Sequence, residues 1–260
     1  MRILYVGDVV GRPGRRAVGD LVPGLRDELG LDLVVVNCEN AAAGKGITPD
    51  LASELLKSAD LLTSGNHVWQ YRAIEPYLER ETKIVRPANY PNAPGRGSSV
   101  VSTRSGVPLG VIQVEGRVFM RNLECPFLAI EREREKLGPA VRCVLVDVHA
   151  EATSEKQAIA WYFDGKVSAV IGTHTHVQTA DERLLPGGTA YLTDAGMTGP
   201  YDSVIGMEAK ASIDRLLTQR RSAHEVANGN VWLCGVVIEI DEASGHATHV
   251  ERLKRVVDEG

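Results

Sequence analysis

Residues 3–8 read ILYVGD, a continuous apolar run that ends in glycine and aspartate. Such a run is typical of a β-strand that is buried on both faces. Similar runs recur along the chain, and they predict the strands of the fold. They are DLVVVN (32–37), ADLLTSG (59–65), RCVLVDVHA (142–150) and KVSAVIGTH (166–174), with VWLCGVVIEI (231–240) as a further β-rich run.

Helical segments separate many of these strands. Apolar residues recur at helical spacing from about residue 15 to residue 29, and Thr48 followed by Pro49 predicts a capped helix start. Another helix is predicted in SEKQAIAWYF, with Ser154 as its cap. Between residues 88 and 121, turn residues and short alternating runs predict a hairpin within the same domain. The alternation of strands and helices predicts an α/β fold, whose ligands gather at the carboxyl ends of the strands.

The length and composition are those of a globular protein. The chain has 260 residues, of which 43% are hydrophobic and 24% are charged, and we expect a single domain over residues 1–260. The N-terminal apolar run is too short for a signal peptide, and no stretch approaches the ~20 apolar residues of a membrane helix. We therefore expect a cytoplasmic protein with no membrane partner.

Charge and cysteine content narrow the classes of ligand. With 29 basic and 34 acidic residues the net charge is −5, which argues against binding of extended nucleic acid and leaves a small phosphorylated ligand possible. The four cysteines lie far apart without a CxxC pair, so we expect buried free thiols and neither a disulfide framework nor a zinc knuckle. The charged run EREREK (131–136) predicts a solvated helix face.

Each of the five buried runs is followed by potential metal ligands. In order along the chain these are Asp8, then Glu39 and Asn40, then Asn66 and His67, then His149, and finally His174 and His176. Carboxylate oxygen and imidazole nitrogen together suit zinc, manganese or iron, whereas an all-oxygen set favours magnesium or calcium. The set exceeds the four ligands of a simple zinc site, so two metals that share a bridging carboxylate are the economical arrangement.

These residues resemble the motifs of the calcineurin-like metallophosphoesterase superfamily, whose usual order is DxH, GDxxD, GNH followed by an acid, H, and GHxH. The chain departs from this order at Val10, Glu39, Val68 and Thr173. The YmdB-like branch of the superfamily shares these departures. Its motifs resemble GDVVGRPGR, NCENAAAGKGIT, SGNHVW, VDVHAEATSEK, GTHTHVQTAD and LTDAGMTGPYDSVIG, which extend over nearly the whole chain.

The resemblance implies a four-layer α/β sandwich, in which two mixed β-sheets are flanked by helices. It also implies two divalent or mixed-valence metal ions, with iron and manganese as the expected elements. One ion would be held by Asp8, Glu39, Asn40 and His176, and the other by Glu39, Asn66, His149 and His174. Glu39 would then bridge the two ions.

The implied activity is a phosphodiesterase that hydrolyses small phosphodiesters, with 2′,3′-cyclic or 3′,5′-cyclic nucleotides as expected substrates. A hydroxide that bridges two metals would attack the phosphorus. His67 would protonate the leaving oxygen or stabilise charge in the transition state. A phosphomonoesterase and a non-catalytic metal-binding scaffold are the alternatives, and the resemblance makes a homo-oligomer plausible.

Several other residues leave two interpretations open. Lys45, Arg12 and Arg15 would either contact the phosphate or belong to solvated turns, and Tyr201 with Asp202 would either border the pocket or pack. The three histidines outside the motifs are expected to be surface or structural residues; they are His224, His246 and His249.

Overall fold

The computed structural model describes residues 1–220 and 225–257. Its helices are α1 (Gly11–Leu29), α2 (Pro49–Leu55), α3 (Glu75–Arg80), α4 (Pro126–Leu137), α5 (Thr153–Tyr162) and α6 (Ala209–Thr218). Its strands are β1 (Arg2–Val6), β2 (Asp8–Val9), β3 (Leu33–Asn37), β4 (Leu61–Thr63), β5 (Ser98–Ser102), β6 (Pro108–Glu115), β7 (Cys143–His149), β8 (Ala169–Thr173), β9 (Arg183–Leu184), β10 (Ala190–Leu192), β11 (Met197–Pro200), β12 (Val231–Ile240) and β13 (Ala247–Val256).

The strands form two mixed sheets. The first has the order β2-β11-β12-β1-β3-β4, with β13 paired to β12, and the second has the order β5-β6-β7-β8-β10-β9. In the first sheet β1, β3 and β4 are parallel, and in the second β6, β7, β8 and β10 are parallel. The predicted hairpin is β5 and β6, which pair antiparallel. Because ligands gather at the carboxyl ends of parallel strands, each sheet has an edge that is suited to a site.

Side-chain alternation along the strands produces four layers. In β1, Ile3 and Tyr5 belong to the apolar core between the two sheets, whereas Leu4 and Val6 belong to the core beneath α1 and α2. A third core packs the outer face of the second sheet against α4 and α5. This arrangement of helix, sheet, sheet and helix follows from the period of two along each strand. The predicted α/β sandwich with two mixed sheets is therefore confirmed.

The first helix begins about four residues earlier than predicted. It begins at Gly11 and includes the GRPGR sequence, because its first turn is held by the rest of the fold. The Gly11 amide donates to the carbonyl of Asn40 at 2.9 Å, and Gly14 lies against the carbonyl of Thr198 where a side chain would clash. Pro13 is tolerated because amides in the first turn have no partner within the helix.

Of the two predicted helix caps, Ser154 is wrong and Thr48 is confirmed as the N-cap residue of α2. The cap of α5 is Ala152, and Ser154 is an exposed residue inside the first turn of the helix. Thr48 does precede α2 and Pro49 does occupy its first turn, but in the described structure the Thr48 side chain makes no capping hydrogen bond. The charged run in α4 is also not wholly solvated, because Glu133 is buried and accepts hydrogen bonds from Ser98 and Lys136.

Three of the four cysteines are buried as predicted, and the fourth is not. Cys38, Cys143 and Cys234 are buried free thiols, while Cys125 is a partly exposed free thiol. Within residues 1–220 and 225–257, no helix combines the length and the apolar character needed to cross a bilayer.

Candidate metal centre

The carboxyl ends of strands from both sheets meet at one place. The amide of His67 donates to Glu39 Oε1 at 2.6 Å, and His149 Nε2 lies 3.7 Å from the same oxygen. On the other side of His149, Nδ1 lies 3.7 Å from Asp8 Oδ1, and the amide of His174 donates to Asp8 Oδ2 at 3.1 Å. The structure therefore brings together five of the predicted site residues from β2, β3, β4, β7 and β8.

The two asparagines and His176 complete the group. Asn66 Oδ1 lies 2.9 Å from His149 Nε2, and Asn40 Oδ1 lies 3.2 Å from His176 Nε2. His174 Nδ1 lies 3.1 Å from His149 Nε2, so the imidazoles of two neighbouring strand ends face each other. These contacts join six of the eight predicted residues, and Asn40 and His176 form a pair at the same edge, where the charge of His176 contributes to the lowered pKa of His149.

His176 and Asn40 present two lone-pair atoms to each other, a contact that a bound cation would make favourable. His176 Nδ1 donates to the carbonyl of Ile205 at 2.9 Å, and a carbonyl can only accept, so Nε2 carries a lone pair. The Asn40 amide nitrogen donates to the carbonyl of Gly44 at 2.8 Å, which directs its oxygen toward that lone pair. Two electron-rich atoms therefore face each other, which is favourable when a metal lies between them.

His149 shows the same arrangement. Thr173 donates its single hydroxyl proton to Asp147 at 2.8 Å, so its oxygen accepts from His149 Nδ1 at 2.9 Å. Nε2 of His149 is then left with a lone pair, which faces the Asn66 oxygen at 2.9 Å and His174 Nδ1 at 3.1 Å. A histidine that donates one ring nitrogen to an oxygen and presents the other is the usual form of a metal ligand.

The two carboxylates of the cluster are fully buried and incompletely paired. Asp8 Oδ1 and Glu39 Oε2 make no hydrogen bond with any described residue. Burial raises the pKa of both carboxyl groups well above the usual range and lowers the pKa of His149, His174 and His176. Unpaired buried carboxylate oxygens beside neutral imidazoles fit the requirements of a bound divalent cation.

Each contact within the cluster joins two residues, and the described side chains do not converge on a single point. Among the described residues, no group of three or more histidine, cysteine, aspartate or glutamate side chains already forms a metal-binding arrangement. The carboxamide oxygens of Asn40 and Asn66 each contact one histidine nitrogen. The chemistry of the donors fits zinc, manganese or iron, and the identity of the metal and the assignment of ligands to each ion remain predictions.

The loop that carries His174 and His176 has an unusual backbone. Both residues have positive φ angles, 96° and 66°, which are uncommon outside glycine. Between them, the amide and the hydroxyl of Thr175 donate to Asp194 Oδ2 at 3.1 and 2.7 Å. This carboxylate therefore holds the loop in the conformation that directs both imidazoles to the cluster.

A buried lysine neutralises Asp194. Lys156 Nζ on α5 lies 2.9 Å from Asp194 Oδ2, and both side chains are almost fully buried. The lysine stem passes Gly172 in β8, where an added Cβ would lie 2.7 Å from Lys156 Cδ. The motifs SEK and TDAG, to which the sequence assigned no role, thus form the support of the histidine loop.

A second glycine makes room for the cluster itself. A Cβ added to Gly65 would lie 2.5 Å from His149 Nε2 and 2.7 Å from Glu39 Cδ. Glycine at this position therefore allows the loop after β4 to approach both donors closely.

His67 differs from the other predicted residues in its exposure. Its side chain is 28% exposed, and Nδ1 lies 2.8 Å from Glu39 Oε1 without hydrogen-bond geometry. Burial, followed by the charges of Lys45 and Arg121, lowers the pKa of His67. The ring is therefore neutral near pH 7 and available to a ligand.

The sequence did not predict one acidic residue at this edge of the sheet. Glu115 ends β6 and pairs in register with His149 on β7, so both side chains project from the same face. Tyr90 donates to Glu115 Oε2 at 2.6 Å, and Arg121 donates to the Tyr90 hydroxyl at 3.2 Å. Glu115 directly follows PLGVIQV, a run interrupted by Gln113 and predicted as part of a hairpin, so only an extension of the strand-end pattern to the hairpin strands would have found it.

The residues whose roles the sequence left open fall into two groups, one structural and one exposed. Arg15 pairs with Glu54 at 3.2 Å, and Tyr201 stacks on Trp232 with ring centroids 3.9 Å apart, so both have structural roles. Lys45 and Arg12 are exposed. Since Lys45 lowers the pKa of His67, its charge acts on the site.

Asp202, whose role the sequence left open, accepts a hydrogen bond from Asn230. His246 packs against Gly188, and His249 is exposed beside Glu251. His224 lies outside the described residues.

Comparisons with known proteins agree over nearly the whole chain. The family model described as YmdB-like protein matches residues 4–253. A Bacillus subtilis protein named 2′,3′-cyclic-nucleotide 2′-phosphodiesterase is 46% identical over 255 residues, which cover 97% of this chain and 96% of that protein. A putative phosphatase/phosphodiesterase of Mycoplasma genitalium is 34% identical over 271 residues, which cover 100% and 94% of the two chains.

Two solved structures have the same fold. A hypothetical protein from Thermus thermophilus superposes with a TM-score of 0.92 at 43% identity, and the match covers 98% of this chain and 99% of that one. A structure described as a novel phosphatase from Mycoplasma pneumoniae superposes with a TM-score of 0.91 at 32% identity, with coverage of 98% and 93%.

Proposed function

The chain belongs to the YmdB-like family, and from that premise we propose that it is a metal-dependent phosphodiesterase of small phosphodiesters. The proposed substrates are 2′,3′-cyclic or 3′,5′-cyclic nucleotides. The relative from Bacillus subtilis, which carries the name of a 2′,3′-cyclic-nucleotide phosphodiesterase at 46% identity, supports the first of these. The net charge of −5 favours a small substrate over a long polynucleotide.

The observation that carries the proposal is that, at two places near the strand ends, a histidine nitrogen with a lone pair faces a carboxamide oxygen. The lone pair on His176 Nε2 faces the Asn40 oxygen, and the lone pair on His149 Nε2 faces the Asn66 oxygen. Neither contact is a hydrogen bond in the tautomers that the surrounding groups select. Positive charge between the donors would make both contacts favourable, and Asp8 and Glu39 offer the unpaired oxygens that such charge requires.

We assign the residues to two ions as the family resemblance implies. Two bound divalent cations would lower the pKa of water and polarise the phosphoryl oxygens. Glu39 would hold both of them. The first ion would also be held by Asp8, Asn40 and His176, and the second by Asn66, His149 and His174.

His67 contributes through its N–H group. The pKa of this histidine is lowered, so a neutral ring near pH 7 donates a hydrogen bond to the leaving oxygen and stabilises developing charge. Lys45 and Arg121 add positive charge beside the same position. No acid directly follows His67 in the chain. The carboxylate that faces its Nδ1 is that of Glu39, at 2.8 Å.

The proposal is tested by measuring metal stoichiometry and turnover on the same samples. Glu39→Gln should lose metal and activity together, whereas His67→Ala should keep its metal and lower kcat by roughly 100-fold or more. His249→Ala is the matched control, since this histidine is exposed and remote from the cluster. Loss of metal from the His67 variant would contradict the role assigned to that residue.

A phosphomonoesterase remains the second candidate, because relatives in both Mycoplasma species carry names that include phosphatase. Turnover of bis(p-nitrophenyl) phosphate and p-nitrophenyl phosphate by one metal-loaded preparation separates the two activities. Preference for the monoester would reverse the order of the candidates. If the loaded protein hydrolysed neither ester and His67→Ala changed nothing, the scaffold interpretation would replace both.

A further inference from the structure

The segment between β6 and α4 is exposed and yet held firmly in place. The Gly116 amide donates to the carbonyl of His149 at 3.0 Å. The next two amides, of Arg117 and Val118, donate to the buried carboxylate of Glu155 on α5 at 3.0 and 3.1 Å. The backbone is therefore fixed by the same helix that carries Lys156.

Phe119 is the residue that this segment presents. Its side chain is 90% exposed, and its φ angle is +61°, which is unfavourable for a bulky residue. Single apolar residues on a surface are ordinary, but strained backbone in a well-anchored segment is typical of a functional position. Three residues span at most about 10 Å, so the Cα of Phe119 lies within that distance of the Cα of Gly116, whose amide contacts the His149 carbonyl.

The residues after Phe119 also contact the site. Met120 Sδ accepts a hydrogen bond from the Glu151 amide at 3.3 Å, and Glu151 Oε2 lies 3.2 Å from His174 Nε2. The charge of Arg121 lowers the pKa of both Glu39 and His67. The segment therefore borders the cluster on the side of the second sheet.

We propose that Phe119 is a stacking platform for the base of a nucleotide whose phosphate lies at the strand ends. The inference rests on the proposed phosphodiesterase function and identifies the substrate as a nucleotide through its base. An exposed aromatic side chain on an anchored segment that borders a polar cluster suits a ligand that has one flat apolar part and one charged part. Because every base has a π-face, stacking would give affinity for nucleotides with little preference among bases.

The test compares two substrates that differ in the base. One is 2′,3′-cyclic AMP and the other is methyl ribofuranoside 2,3-cyclic phosphate, which has no base. Phe119→Ala should raise KM for the nucleotide roughly 5- to 150-fold, leave kcat within about twofold, and leave both constants for the base-free ester unchanged. Phe119→Trp should retain the wild-type KM. Leu128→Ala, on the exposed face of α4, is the control and should change neither substrate.

Two results would overturn the platform: an equal rise in KM for both esters, or no change for either. Equilibrium binding of 2′,3′-cyclic AMP to the same metal-loaded proteins separates this inference from the proposed function. If the wild type binds the nucleotide more tightly than Phe119→Ala but hydrolyses neither ester, the platform stands and the phosphodiesterase proposal fails. Equal binding by the two proteins overturns the platform.

Discussion

The ion pair between Lys156 and Asp194 provides the sharpest test of how the histidine loop is held. Substitution of Lys156 by methionine keeps most of the apolar stem and removes the charge. Asp194 would then be a buried carboxylate with three remaining donors, the amide and hydroxyl of Thr175 and the amide of Gly196. The perturbation therefore isolates the compensation of charge from the hydrogen bonds that shape the loop.

The expected loss follows from burial. Lys156 is 1% exposed and Asp194 is fully buried, and removal of one partner from such a pair costs about 3–5 kcal/mol. The three remaining donors place Lys156→Met near the lower end, at about 3 kcal/mol. In the double variant Lys156→Met/Asp194→Asn no uncompensated charge remains, so its loss should be at least about 2 kcal/mol smaller than the sum of the single losses.

The assay is urea unfolding of metal-free protein, with chelator present so that bound metal does not contribute to the free energy of unfolding. Arg26→Met is the matched control. Arg26 pairs with Asp60 at 2.6 Å, but both side chains are about one-third exposed, so the expected loss is about 1 kcal/mol or less. A loss below about 1 kcal/mol for Lys156→Met, or additive losses in the double variant, would refute the reasoning.

Two further predictions concern positions beside the cluster. Gly65→Ala should lose metal and at least about tenfold in turnover, because its Cβ would meet His149 and Glu39. The control is Gly24→Ala, which has open space around it in the described structure and should keep both metal and turnover. Full metal content in the Gly65 variant would contradict this prediction. Burial raises the pKa of Glu115, so the stability linked to its proton is present at low pH and is lost as pH rises through the folded-state pKa. The free energy of unfolding of Glu115→Gln should therefore increase relative to that of the wild type as the pH is raised from about 4 to about 8. Urea titrations measure this difference, and a difference that does not change with pH would contradict the prediction.

The strands and the positions of the candidate ligands could be predicted because both are local properties. A continuous apolar run identifies a buried strand, and β12 has the predicted bounds. The residue that follows such a run must lie at the end of its strand. Parallel pairing then brings Asp8 and Glu39 to one edge of the first sheet, and the packing of the two sheets adds His149 from β7.

Helix starts were less predictable because distant contacts decide them. The first turn of α1 depends on a hydrogen bond from Gly11 to Asn40 and on the close approach of Gly14 to Thr198. The start of α5 was predicted from the preference of serine for caps, yet Ser154 lies within the first turn. A weak local preference is overridden when the packing of a whole helix selects another boundary.

The sequence by itself determined the α/β class, the candidate ligands that follow each buried strand, and the family resemblance. Each of these depends on residue type and on spacing along the chain. The tertiary structure alone decided which metal-ligating atoms face each other, that Lys156 reaches Asp194 past Gly172, and that Phe119 is exposed on the anchored segment after β6. These contacts join residues that are far apart in the sequence. They depend on the register of the strands and on the packing of the layers, which no local pattern of residues encodes.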